Sequence, residues 1–287
     1  MSDARLRSRR RLETLFKYFC TAMTWLSILL LAVLIFHIVK EGVRYLNWDF
    51  LTSFPSRRPE SSGIKSALWG TVWLIVITAS VSVFIGIAAA IYLEEYAPQN
   101  RVSRFIDINI VNLAGVPSIV YGMLGLAVFV RFMALGRSVL AGGLTMSLLT
   151  LPVIIVAARE AIRAVPISIR KASYALGATR WQTVRHHVLP LALPGIITGV
   201  ILAMARAIGE TAPLIMIGAL SYVAFVPESP MDPFMALPIQ IFTWISKPQK
   251  EFHDLAATAI IVLLGVLLLM NGAAVYLRFR TEKRRIG

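Results

Sequence analysis

The sequence predicts an all-α protein that crosses a membrane six times as a helical bundle, with one structured loop between the fourth and fifth crossings. Three observations lead there. Hydrophobic residues make up 57% of the 287 and charged residues only 15%, whereas soluble domains carry about 25% charge. The apolar residues are gathered into six long stretches, which favours a polytopic membrane protein over one or two soluble domains. Most of the net charge of +14 lies between and beyond those stretches. It therefore reads as a signal of membrane orientation and calls for no nucleic-acid partner.

The chain opens on a basic arm, residues 1–17, with Arg5, Arg7, Arg9, Arg10, Arg11 and Lys17. The first apolar stretch, 18–39, exceeds a signal core, and no small-x-small cleavage site follows it before Lys40, so it is expected to stay as an anchor. The others are 67–93, 108–130, 138–158, 191–220 and 255–277. At a rise of about 1.5 Å per residue each can cross about 30 Å of hydrocarbon as a helix, which satisfies its own backbone groups. An even number of crossings puts both ends on one side. The arm and the tail, 278–287 with Arg278, Arg280, Lys283, Arg284 and Arg285, assign that side to the cytoplasm. The segment 159–190 then also lies inside, and its Arg159, Arg163, Arg170, Lys171, Arg180 and Arg185 agree with that placement. The short inner loop after Leu93 adds only Arg101 and Arg104, and the outer segment 222–254 has Lys247 and Lys250 against four acids.

The sole cysteine, Cys20, excludes an internal disulfide, and the four histidines, His37, His186, His187 and His253, form no metal-spaced set. No metal is expected. The chain also lacks a phosphate-cradling GxxxxGK[ST] loop and any catalytic cluster, so it is not expected to be an enzyme.

Two regions carry the candidate chemistry. In the inner segment, Pro166 suits the first turn of a helix, and the spacing of Lys171, Ala172, Ala175 and Leu176 continues it. Gly177 ends or tightly packs that helix beside Ala178, a second helix covers 181–188, and Pro190 marks another boundary. Two short helices joined at a compact bend fit the groove of a soluble partner. The same composition also fits a basic loop lying on lipid. In the fifth stretch, Arg206 and Glu210 lie one helical turn apart, which favours a mutual brace or gate, or direct contact with an anion, over exposure to lipid. Asn109, Asn112 and Ser118, with Gly115 and Pro117 between them, would line a pathway or pack helices together. Gly86, Gly122 and Gly125 read as packing positions.

Glu160-Ala161, Pro166, Ala172-Ser173-Tyr174-Ala175-Leu176-Gly177-Ala178, Leu189-Pro190 and Pro194-Gly195-Ile196 resemble the cytoplasmic coupling segment of binding-protein-dependent ABC importer permeases. Asn112-Leu113-Ala114-Gly115-Val116-Pro117-Ser118 before it and Arg206-Ala207-Ile208-Gly209-Glu210-Thr211-Ala212-Pro213 after it resemble the phosphate-specific, PstA-like branch. The resemblance implies a type I ABC importer permease fold over 67–277, with 18–66 as the first helix and outer loop and 159–190 as the coupling segment. It implies a multi-pass protein of the bacterial inner membrane that imports inorganic phosphate. The implied partners are a second homologous permease, two cytoplasmic ATPase subunits that carry ATP and Mg, and a periplasmic phosphate-binding protein. A permease for another oxyanion such as sulfate or molybdate, or a non-transporting scaffold in nutrient signalling, are the alternatives. ATPase coupling falls on Glu160, Lys171, Ala172, Gly177, Ala178, Leu189 and Pro190, and the substrate pathway or gate on Arg206, Glu210, Asn112 and Ser118. Lys171 stands where the family motif has an acid, and His187 where it has a branched apolar residue, so the polar contacts of the coupling surface are expected to differ.

Overall fold

A computed structural model describes the backbone of residues 3–219 and 222–283, and the side chains of residues 12–219, 222–276 and 279. The basic side chains of the arm before Leu12 and of the tail lie outside the described residues, except for Lys17. Helix α1 (Asp3–Gly42) is followed by the short α2 (Trp48–Thr52), whose cap Asn47 accepts the Phe50 N–H at 2.7 Å. α3 (Lys65–Ile91) widens at its inner end into a π-type turn, Tyr92–Tyr96. α4 (Arg101–Ala114) starts at Asn100, whose Oδ1 accepts the Ser103 N–H at 2.9 Å. α5 (Ser118–Gly125) runs into a second wide turn, Leu126–Phe132, and α6 (Val139–Arg163) returns to the inner side from its Ser138 cap. α7 (Ile167–Ala175) and α8 (Arg180–Thr183) follow, and α8 continues through the wide turn Val184–Val188 into α9 (Leu189–Ile208). α10 (Ala212–Met216), α11 (Leu237–Ile245) and α12 (Lys250–Lys283) complete the chain.

Five helical runs are long and apolar enough to cross a membrane, and the stretch through α4 and α5 passes the same test only as a bent pair, which gives up to six. The third stretch is thus not one straight helix. It bends by 103° at Gly115-Val116-Pro117, because the Pro117 ring pushes Val116 out of the helical region. Across the bend, the Tyr121 hydroxyl donates to the Leu113 carbonyl at 2.8 Å. A single neutral hydrogen bond is worth about 1 kcal/mol. Tyr121→Phe is expected to lower the melting midpoint in detergent by about 2 °C; an unchanged midpoint would show that Pro117 alone holds the bend.

Two further boundaries differ from the sequence reading. The fifth crossing ends at Ile208, not near 220, and Gly209, Glu210 and Thr211 separate it from α10, which carries Pro213 in its first turn. Pro190 does not end a helix: the chain is helical from Arg180 to Ile208. The Leu189 N–H reaches back to the Val184 carbonyl in the wider turn just before Pro190, so the missing proline N–H falls where the register changes. The outer segment 222–254, read from sequence only as a connection, contains α11, whose Leu237, Ile239, Gln240 and Trp244 are buried.

α3 and α6 form the centre of the bundle. An added Cβ on Gly143 would stand 2.5 Å from Ile77, and one on Gly86 2.7 Å from Ile154. The Thr78 and Ser147 hydroxyls both donate to the Gly143 carbonyl, at 3.3 Å and 2.7 Å. Close approach with hydroxyls bonded to backbone is how apolar helices associate in lipid, where burial alone gives no preference for protein over lipid. Gly122 and Gly125 face Pro213 and Thr145 in the same manner, as packing positions. At the outer end Phe50, Ile64, Trp244 and Phe252 share one core with the start of α12, and at the inner end Ala90, Ile162, Val188 and Ile196 form another. α1 stands apart along most of its length, its apolar side chains and Cys20 exposed. Its outer end is pinned to α12 by Gly42, whose carbonyl accepts the Thr258 hydroxyl at 2.8 Å.

Candidate functional site

The inner loop is built from a helix stop, a turn and a helix start. α7 begins after Pro166, as the sequence predicts, and ends in a paired reverse turn: the Gly177 N–H bonds to the Tyr174 carbonyl at 2.9 Å and the Ala178 N–H to the Ser173 carbonyl at 3.2 Å. This termination needs a left-handed residue, and Gly177 has φ +82°. No atom lies within 4 Å of an added Cβ there, so Gly177 ends the helix and does not pack. Thr179 then caps α8, accepting the Gln182 N–H at 3.3 Å while the Gln182 side chain accepts the Thr179 N–H at 2.8 Å. The buried Ser173 and Thr183 hydroxyls meet at 2.9 Å and tie the two helices together.

At the tip Leu176 is 89% exposed, flanked by exposed Ile167, Tyr174 and Trp181. Lys171, Ala172 and Gly177 are exposed and Ala178 half-buried on the same loop. Glu160 sits at the end of α6, exposed and bonded to Arg163 at 3.1 Å. Leu189 and Pro190 are half-buried within the continuous helix, away from the tip. Lys171, Ala172, Gly177 and Ala178 thus lie on one loop, whereas Glu160, Leu189 and Pro190 lie outside it, on α6 and α9. His186 and His187 are exposed in the wide turn before Pro190.

Beneath the loop lies a charge network that the sequence reading missed. Glu94 and Glu95, in the wide turn that ends α3, take three arginines. Arg163 grips both oxygens of Glu94, at 3.1 Å and 3.0 Å. Arg159 reaches Glu94 at 3.5 Å and holds Asp107 of α4 through two bonds, at 2.7 Å and 3.2 Å. Arg170 of α7 contacts one oxygen of Glu95, at 2.6 Å and 3.0 Å. A cleft of about 530 Å³ opens beside this network between Gln99, Arg104 and Arg159. In the sequence alone Arg159, Arg163 and Arg170 read only as markers of the inner side. The available signal was the adjacent acid pair Glu94-Glu95 in an otherwise basic inner surface.

In the fifth crossing Arg206 lies in the last turn of α9, and Glu210 lies just beyond its end. Their contact is present but loose, Nε to Oε1 at 3.4 Å, with Arg206 64% exposed and Glu210 18%. The pair sits where α9 breaks before α10, beside a small gap lined by Ala114, Thr150 and Ala203. Asn112 is exposed near the end of α4, and Ser118 is half-buried at the start of α5, so the two lie on opposite sides of the bend. Asn109 turns its amide onto the Phe105 carbonyl of its own helix at 2.7 Å.

Comparison with known proteins was made on this fold and these sites. Residues 82–283, well over half of the chain, match the family described as binding-protein-dependent transport system inner membrane component. The chain is 34% identical over 232 residues to the probable ABC transporter permease protein YqgI of Bacillus subtilis, covering 78% of this chain and 79% of that protein. It is 34% identical over 229 residues to the phosphate transport system permease protein PstA 1 of Mycobacterium tuberculosis, covering 78% of this chain and 73% of the relative. Its fold resembles a chain in the crystal structure of a bacterial ABC transporter involved in the import of the acidic polysaccharide alginate. The TM-score is 0.66 at 14% identity, over 97% of this chain and 99% of that one. The chain belongs to the binding-protein-dependent transport system inner membrane component family: it is a multi-pass, all-α transporter permease with a type I ABC importer permease fold.

Proposed function

We propose that this chain is the PstA-like permease subunit of an ATP-driven importer of inorganic phosphate in the bacterial inner membrane. The observation that carries the substrate is the likeness to phosphate transport system permeases over nearly four fifths of the chain. In this account the chain pairs with a second homologous permease, two cytoplasmic ATPase subunits dock on 159–190, and a periplasmic phosphate-binding protein delivers the anion. ATP and Mg reside on the ATPase subunits. The exposed apolar tip around Leu176 supplies burial in the ATPase groove, and Lys171, Ala172, Gly177 and Ala178 define its shape.

Arg206 attracts the anion at the break in the fifth crossing, and Glu210 tempers that attraction so that phosphate passes without a deep trap. Asn112 and Ser118 line the neighbouring bend. Arg206→Gln is expected to lower phosphate uptake at least tenfold. Glu210→Gln leaves the guanidinium unopposed, so KM and maximal rate should fall together as the anion is held longer. Initial rates of uptake across a range of phosphate concentrations check both signs; wild-type kinetics in both variants would remove the pair from the pathway. Substrate identity is tested by reconstituting the complex with its binding protein and competing labelled phosphate with sulfate and molybdate. Only unlabelled phosphate should compete effectively; transport driven by sulfate or molybdate would reassign the substrate, and no anion flux with intact ATPase docking would favour a scaffold.

A further inference from the structure

Resting on the assignment of 159–190 as the ATPase-facing segment, we propose that Arg170 and Glu95 form the strut through which movement of α7 is passed to α3. α7 has nine residues, too few to be stable as an isolated helix, so a force applied at its tip travels only through its attachments. One is the hydroxyl contact of Ser173 with Thr183. The packing of Ile169 on the inner core is a second, and a third is Arg170, whose guanidinium reaches the end of α3 and the end of α6 at once. It meets Glu95 of the turn ending α3 at 2.6 Å and 3.0 Å, and donates to the Val165 and Ile162 carbonyls at 2.7 Å and 3.0 Å. The Ile162 carbonyl lies in the last turn of α6, where it also accepts the Val165 N–H at 3.2 Å, and Val165 follows the end of that helix.

Burial separates this pair, like Arg159 and Glu94 at 12% and 17% exposed, from the outer pair of Arg163 and Glu160. Arg170 is 15% exposed and Glu95 5%, whereas Arg163 and Glu160 are 54% and 65% exposed. An exposed pair is screened and yields when pulled. Arg170 is the one cation paired with Glu95 among the described residues, and a buried carboxylate deprived of its cation is left without compensation, so the enclosed pair resists separation. The fork of the guanidinium is needed as well: it spends Nε and both terminal nitrogens on acceptors in three directions, which a lysine ammonium cannot match. Glu94, the adjacent acid, holds Arg159 and Arg163 of α6. The two acids of one wide turn therefore bind α3 to the end of α6 and to α7 separately. With α3 and α6 already in close contact along the bundle, α7, α3 and α6 move as one body. α9 is joined to that body through the Thr183 contact and through close packing on α6, where Gly195 and Gly199 meet Ala161 and Ala157, and it ends before Gly209. Arg170 and Glu95 are thus positioning residues for coupling.

The test uses the whole complex in proteoliposomes, with this chain, the second permease, the ATPase subunits and the phosphate-binding protein. Three quantities are read: ATPase subunits retained per permease, ATP hydrolysis stimulated by the loaded binding protein, and phosphate taken up per ATP. Arg170→Lys and Glu95→Gln should each retain the ATPase subunits and hydrolyse ATP, while uptake per ATP falls at least fivefold. Glu95→Asp, a control that keeps the carboxylate, should lose less of that ratio than Glu95→Gln. Wild-type uptake per ATP in either single variant would overturn the proposal. So would a loss of uptake that only follows loss of assembled complex, because the pair would then serve folding alone. If the unaltered chain fails to retain the ATPase subunits, the docking assignment itself falls, an outcome distinct from loss of coupling in an assembled complex.

Discussion

Gly177→Val should lower ATPase docking and phosphate uptake by about 5- to 30-fold while leaving the melting midpoint of the transmembrane bundle unchanged. The reason is conformational. Gly177 sits at φ +82° with open space around the position of a Cβ, so no steric contact is added. A left-handed conformation costs an ordinary residue about 1–2 kcal/mol, and more for a branched one. That energy changes an equilibrium about 5- to 30-fold. The cost falls on the turn that sets α7 against α8 and presents Leu176, not on the helices behind it. Gly177→Asn, which tolerates the left-handed region, should retain most of the function. Retention of ATPase subunits by the purified complex and uptake in cells check both variants; equal behaviour of the two would mean that the turn's conformation is not what the partner reads.

Gly70→Ala is expected to be the most damaging single substitution for the fold. A Cβ at this position would stand 2.0 Å from the Met235 carbonyl oxygen, a backbone atom that no rotamer change can move aside. The neighbouring Thr71 hydroxyl accepts the Leu237 N–H at 2.9 Å and donates to Ala67 at 2.8 Å. Separating α3 from this segment breaks that bond and lifts α11 from the outer core. Overpacking at such a point costs about 3 kcal/mol or more, and the melting midpoint in detergent should drop by about 6 °C or more. Phe234, Met235 and Leu237 are all fully buried, so the segment has no slack through which to relax. An unchanged midpoint would contradict the close contact between α3 and the outer segment.

Much of this architecture was readable from the apolar runs, because a helix in lipid must be long and apolar to satisfy its own backbone. The first, second, fourth and sixth crossings follow from that alone. The third is marked as well, by Gly115-Val116-Pro117, but its apolar content by itself reads as one continuous span. α11 stayed hidden because its nine residues are too short to register as a crossing, and its burial depends on contacts with Gly70, Thr71 and α12 from distant parts of the chain. Pro190 was misread because a wide turn absorbed it, a backbone adjustment that no local pattern announces. At the inner loop, Pro166 and Gly177 gave the helix start and stop directly, since each has a conformation that few other residues share. Glu94, Glu95 and Asp107 were passed over because orientation in the membrane is read from bases, and acids contribute little to it. Their role emerges only when the ends of α3, α4 and α6 come together.

Phosphate uptake in a strain lacking its native phosphate permease, with and without this chain beside its partner subunits, tests the central claim most directly. The account predicts that uptake of labelled phosphate returns with the chain, requires ATP, and is lost when Arg170 and Glu95 are both replaced although the ATPase subunits stay bound. Restored uptake that survives that double replacement would contradict the coupling route, and no uptake from a fully assembled complex would contradict phosphate import itself.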